Sequence, residues 1–154
     1  MQIKILMVCL GNICRSPLAE GIMRQLILKL ELRHIEVDSA GTAGHCVGNS
    51  PDHRSMQVAL ELGITLNHKA RQLNRKDFTL FDHILVMDEA NLESVRRLAS
   101  DDFERSKISL ITDYDPTPDR LKIVADPYYS DVAEFQRVGQ QLLQCCNGWL
   151  VRMT

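Results

Sequence analysis

The chain has 154 residues, 45% of them hydrophobic and 25% charged. That suits one globular domain over 1–154 and excludes a disordered or fibrous chain. Eighteen Lys and Arg against twenty Asp and Glu leave a formal net charge of −2, so no global basic field favours nucleic acid.

In chain order, Ile3–Val8 is an apolar, β-branched run fit for a buried strand. Its continuation Ile5–Leu10, closed by Gly11-Asn12, is too short for a membrane span and has the wrong flanks for a signal peptide. No nucleic-acid or membrane partner is expected, and a cytoplasmic location is. Pro17–Leu32 carries Leu18, Ile22, Leu26 and Leu30 at intervals of four, which predicts a helix with Ser16 as N-cap and Pro17 as its first residue. Ile35–Ala40 is a second strand, and Gly41–Pro51 a glycine-rich loop. Asp52–Leu62 reads as a helix closed by Gly63. His83–Met87 is a third strand, followed by a helix near Ala90–Ala99 and a fourth strand at Lys107–Ile111. Thr112–Asp119, with Pro116 and Pro118, is a second loop. Asp131 begins the last helix, with Glu134 placed as in a capping box and Phe135, Val138, Leu142, Cys145 and Trp149 at helical spacing. The alternation predicts an α/β fold: a single domain whose four-stranded parallel sheet is flanked by helices on both faces, Rossmann-like. Such sheets bind ligands beyond the carboxyl ends of their strands, here first in a phosphate loop after the first strand.

That loop reads Cys9-Leu10-Gly11-Asn12-Ile13-Cys14-Arg15-Ser16. Gly11 and Asn12 tolerate left-handed backbone, so the loop can turn its N–H groups inward as an anion nest. The helix that follows points its positive end at the same space, and Arg15 adds a planar fork for two phosphate oxygens. The same field favours the thiolate of Cys9, the nucleophilic form of cysteine; the alternative for Cys9 is a core thiol at a strand end. A second Cys-to-Arg pair of equal spacing, Cys146 and Arg152, lies in the terminal helix without a following Ser or Thr, and reads as a buried thiol beside a surface arginine. Five cysteines in a chain with no export signal argue for free thiols rather than a disulfide framework. No Cys-x-x-Cys, His-x-His or His-Glu-x-x-His spacing occurs, so no metal is expected.

The segment VCLGNICRSPLAE resembles the low-molecular-weight protein tyrosine phosphatases. The likeness continues in order through VDSAGT (Val37–Thr42), NHKARQ (Asn67–Gln72), Asp77-Phe78, FDHILVMD (Phe81–Asp88) and Asp126-Pro127-Tyr128-Tyr129. It implies an enzyme that hydrolyses phosphotyrosine and small aryl phosphates by two-step displacement, with no cofactor. Cys9 would attack and become a phosphocysteine while Arg15 and the loop Leu10–Ser16 hold the phosphoryl oxygens. Ser16 would hydrogen-bond the sulfur and help it leave. Residue types alone leave Asp88, Asp113, Asp115 and Asp126 as possible general acids; the resemblance implies Asp126. It also implies that Asn12, Ser39 and His68 hold the loop in shape, that Tyr128 and Tyr129 line the mouth of the cleft and can themselves be phosphorylated, and that Cys14 can form a reversible disulfide with Cys9. Partners would be phosphotyrosine-containing proteins, with inorganic phosphate and other oxyanions as product or inhibitors.

Some positions bear on the choice of substrate. Where many members carry an aromatic residue opposite the tyrosines, this chain has His45, followed by Cys46. Where related arginine phosphatases have a threonine, it has Ile13, which suits an aryl phosphate better than a guanidinium. Two alternatives remain in other classes. An arsenate reductase of this fold relays oxidation to cysteines after the third strand, where this chain reads Leu85-Val86-Met87-Asp88-Glu89. A non-catalytic phosphate- or phosphotyrosine-binding module would lack the nucleophile or the acid. Cys46, Cys145 and Cys146 have no role that the resemblance supplies, and the last two are expected in a helix core.

Overall fold

A computed structural model describes all residues, Met1–Thr154. The apolar run near the start forms β1 (Ile3–Cys9), which lies inside a parallel sheet of order β2-β1-β3-β4 with β2 (Ile35–Gly41), β3 (His83–Val86) and β4 (Ile108–Leu110). Both faces of β1 are covered, so its residues need no polar alternation. Ile5 and Met7 pack into a larger core with α1 (Arg15–Lys29), α2 (His53–Glu61) and α6 (Val132–Met153). Leu6 and Val8 pack into a smaller core with α3 (Asp77–Leu80) and α4 (Glu89–Leu98). The side-chain period of two divides one strand between two cores. A short α5 (Asp102–Ser106) precedes β4, and a 3-10 turn, Ile111–Tyr114, follows it. No helix is long and apolar enough to cross a membrane.

Two expectations about α1 need correction. Ser16 is not its N-cap: the helix starts at Arg15, Cys14 is the boundary residue, and no side chain caps it. The Ser16 hydroxyl is instead turned to the Cys9 sulfur. Leu30 lies beyond the helix end and is exposed. A four-residue interval advances about 40° past a full turn, so the stripe drifts off the core; the buried face is Leu18, Ala19, Ile22, Met23 and Ile27. The other boundaries agree within one or two residues. Asp52 caps α2, Gly63 follows it at φ +79°, and the Asp131 carboxylate accepts from the Glu134 N–H. Cys145, Cys146 and Trp149 are fully buried on α6, with Arg152 on the surface. The expected strand Lys107–Ile111 is reduced to Ile108–Leu110 because Ile111 turns into the 3-10 segment.

The carboxyl ends of β1, β2 and β3 share one edge of the sheet, and loops knit them together there. Thr42 N–H donates to Cys9 O (2.9 Å), Ala43 N–H to Leu10 O (3.0 Å) and Val124 N–H to Met87 O (2.8 Å).

Candidate active site

Cys9 ends β1 with its thiol almost fully buried. Between Cys9 and α1 the chain turns through Asn12, which has φ +59°. No backbone N–H from Leu10 to Ser16 donates to another backbone group. These donors and the N-terminus of a 15-residue helix make a nest for an oxyanion beside the sulfur. Close approach of β2 shapes the nest. A Cβ on Gly41 would stand 2.6 Å from Leu10 O and 3.0 Å from Asn12 N, so only glycine fits there.

The left-handed backbone of Asn12 is held from behind by its own amide. Nδ2 donates to Ser16 Oγ (2.8 Å) and Ser39 Oγ (3.0 Å), while Oδ1 accepts from the Arg71 N–H (2.9 Å) and His68 Nε2 (2.7 Å). The backbone donor fixes which end of the amide is oxygen. Ser39 in turn donates to Glu20 Oε1 (2.6 Å), whose other oxygen accepts from Arg24 (2.8 Å). Because Ser16 Oγ already accepts from Asn12, its own proton is free for Cys9 Sγ, 3.0 Å away, ahead of Ala40 O at 3.5 Å. A proton donated there stabilises negative charge on sulfur.

Arg15 is 2% exposed and cannot swing. One nitrogen donates to Asp88 Oδ2 (2.7 Å) and Val124 O (2.8 Å), and the other lies 3.8 Å from Asp126 Oδ2. The four aspartates are thereby separated. Asp88 has both oxygens engaged, one by Arg15 and one by the Asn91 N–H that it caps. Asp113 and Asp115 line a different cleft with Tyr114 and Arg152. Asp126 lines the cleft over Cys9 with its side chain 41% exposed; the Tyr128 N–H holds its Oδ1 (3.1 Å), and only the loose approach of Arg15 faces its Oδ2.

That cleft has a volume of about 240 Å³. Cys9, Leu10, Gly11, Ile13, Cys14 and Arg15 form its floor; His45, Cys46, Asp126, Tyr128 and Tyr129 complete its walls. The two tyrosine rings meet edge to face, 4.9 Å apart at 88°. Burial, reinforced by Asp52, Cys9 and Asp126, pushes the Cys14 thiol up to about 12. Cys145 is pushed up to about 12 and Cys146 well above the ordinary value, both chiefly by burial, so these two are inert core thiols.

A sequence profile described as "Low molecular weight phosphotyrosine protein phosphatase" matches residues 4–154. The chain belongs to that family. A curated phosphatase of this family from Pongo abelii is 43% identical over 148 residues, covering 95% of this chain and 92% of the relative. Among solved structures, a protein tyrosine phosphatase from Entamoeba histolytica, with Hepes in its active site, superimposes with a TM-score of 0.94 at 33% identity, covering 99% and 97% of the two chains. A Drosophila arginine phosphatase superimposes with a TM-score of 0.92 at 34% identity, covering 99% and 98%.

In this low molecular weight phosphotyrosine protein phosphatase family member, the residues singled out from the sequence fall into one cleft and one layer behind it. Asn12, Ser16, Ser39 and His68 form that layer. Sequence reasoning missed Glu20, Arg71 and Arg54, because a charged residue on a helix or in a loop reads as solvent-facing. It also missed Gly41 as a packing requirement, and it gave Cys46 no place in the cleft it helps to line. Glu20, Asp38 and His68 come within 4.8 Å of one another. Arg24, Ser39 and Asn12 already occupy the Glu20 and His68 atoms, and Arg71 faces Asp38, so the group is a hydrogen-bond network.

Proposed function

We propose that the chain, acting as one domain over 1–154, hydrolyses phosphotyrosine on proteins and small aryl phosphates through a phosphocysteine intermediate. The observation that carries this is the convergence of the Cys9 sulfur, the fixed Arg15 fork and the exposed Asp126 carboxyl in one cleft walled by tyrosines. The Cys9 thiolate attacks phosphorus while Arg15 and the N–H groups of the loop bind the equatorial oxygens, an electrostatic and positioning task. Asp126 protonates the departing tyrosyl oxygen, then takes a proton from the water that attacks phosphocysteine. Ser16 donates to the sulfur as it leaves, and inorganic phosphate is released. Five free thiols suit a reducing compartment such as the cytoplasm.

The same cleft supports redox control. Peroxide oxidises Cys9 to a sulfenic acid and is itself reduced to water; the Cys14 thiol then displaces a second water from that sulfur, forming a Cys9–Cys14 disulfide. The fold does not choose between aryl and guanidino phosphates, since the Drosophila arginine phosphatase shares it so fully. We read the lining as favouring an aryl group: Ile13 and the tyrosines offer an apolar slot, and Asp126, which Arg15 approaches at 3.8 Å, is the cleft's one carboxylate.

The test is turnover of phosphotyrosine and phosphoarginine peptides by wild type beside Cys9→Ser. Wild type is expected to release phosphate from the phosphotyrosine peptide, while Cys9→Ser binds phosphate and releases none. Substantial turnover by the variant, or a preference for phosphoarginine, would overturn the proposal.

A further inference from the structure

The first turn of α2 ties the two sides of the cleft together. On one side it grips the phosphate loop: the Asp52 N–H donates to Ile13 O (2.8 Å) and Ser55 Oγ to Cys14 O (3.1 Å). On the other side Arg54 reaches to the segment that follows Asp126, donating to Tyr128 O (2.9 Å) and Ser130 O (2.8 Å). The guanidinium is itself fixed. Asp52 accepts from its Nε (3.0 Å) and from one terminal nitrogen (2.9 Å), and it lies 4.3 Å from the centre of the buried Phe135 ring.

Apart from the burial of Pro127, little else anchors residues 126–130. The remaining hydrogen bonds are internal to the segment, Tyr128 N–H to Asp126 Oδ1 (3.1 Å) and Ser130 N–H to Pro127 O (2.9 Å). The only other polar link outward is the loose 3.8 Å approach of Arg15 to Asp126. With the packing of Pro127, the two Arg54 bonds therefore set where the acid and the tyrosine wall stand relative to the nucleophile. An arginine is needed, because its planar fork meets a carboxylate on one edge and two carbonyls on the others; a lysine supplies one point charge and cannot span them.

We propose that Arg54 is a positioning residue for the reaction: held by Asp52 and Phe135, it fixes Asp126 and Tyr128 at their working distance from Cys9. This rests on Asp126 as the general acid. A displacement of about 1 Å in a reacting group can lower a rate about 100-fold.

The variant of choice is Arg54→Lys, which keeps the charge and loses the fork. Its kcat/KM for phenyl phosphate, a poor leaving group, is expected to fall by about 10-fold to 100-fold. The fall for an acidic nitrophenol should be much smaller, because that leaving group needs less protonation. Inhibition by inorganic phosphate should stay within about twofold, since the bonds from Asp52 and Ser55 to the phosphate loop remain. Asp52→Asn, which still caps α2, should show the same pattern more weakly, and serves if Arg54→Lys does not fold. The deciding measurement is Arg54→Lys made in an Asp126→Asn background. If Arg54 acts through the acid, the second substitution costs little more there. Full additivity, or an equal loss for all leaving groups, would overturn the proposal. If Asp126→Asn alone leaves the dependence on leaving group unchanged, the assignment of the acid fails first, and the role of Arg54 with it.

Discussion

Cys9 and Cys14 line the same cleft, and their surroundings make them different reagents. The Cys9 sulfur has the Ser16 hydroxyl at 3.0 Å, whereas Cys14 is raised to about 12 and stays a thiol at neutral pH. Peroxide should therefore attack Cys9, and Cys14 should enter only afterwards. The Cys14→Ser variant is expected to keep turnover but to lose recovery by a thiol reductant after mild oxidation, because Cys9 then advances to sulfinic and sulfonic forms. Bound phosphate should protect both proteins. Peptide mapping decides the matter: a bridge that involves Cys46 instead of Cys14 would move the switch to the rim of the cleft. At this scale the residues that meet in the cleft were legible in the sequence because loop residues with special chemistry stand out. Their supports were not. Nothing in the local pattern around Glu20 says that a helical glutamate is 4% exposed and accepts a hydrogen bond from Ser39.

Elements show the same division. Strand–helix alternation and the end signals at Asp52, Gly63 and Asp131 were readable because they are local chemistry. The short helices Asp77–Leu80 and Asp102–Ser106 were not, since four or five residues carry no hydrophobic period. Nor does sequence reveal how closely elements approach. Gly148 in α6 packs so tightly on the 3-10 turn that a Cβ would stand 1.7 Å from Tyr114 O. Gly148→Ala must push α6 off that turn and should cost at least the upper end of the usual overpacking range of about 1–3 kcal/mol. Its phosphate affinity should be retained where it remains folded. Gly41→Ala presses instead on Leu10 O and Asn12 N, so it should lose phosphate affinity and turnover with a smaller loss of stability. Denaturant melts beside phosphate inhibition separate the two; equal effects of both variants on both readouts would contradict this division.

For the whole molecule, acid should act far from the cleft as well as in it. His83 opens β3 at the opposite end of the sheet and meets the fully buried Trp149 edge-on, 5.3 Å between ring centres. Burial holds its pKa below the ordinary value of 6.5. Below about pH 6.5 the unfolded chain takes up a proton that the folded chain resists, so stability is full above that pH, declines beneath it and levels off once folded His83 is also protonated. His83→Phe should flatten the fall of the melting temperature between about pH 7 and pH 5; an unchanged slope would assign the acid sensitivity to carboxylates. The Asn12 network has a consequence in time. Its partners Ser39, His68 and Arg71 lie 27, 56 and 59 positions along the chain, and the Arg15 fork is fixed by Val124 O, 109 positions along. Closing such loops is slow beside forming α1. During synthesis Cys9 and the phosphate loop emerge first, yet the left-handed turn lacks its full support until Arg71 arrives, and the guanidinium, held first by Asp88, is not fully fixed until Val124 does. Helical signal should return early in refolding and affinity for oxyanions late. A partly made chain thus carries the chemistry of the enzyme without its reactivity.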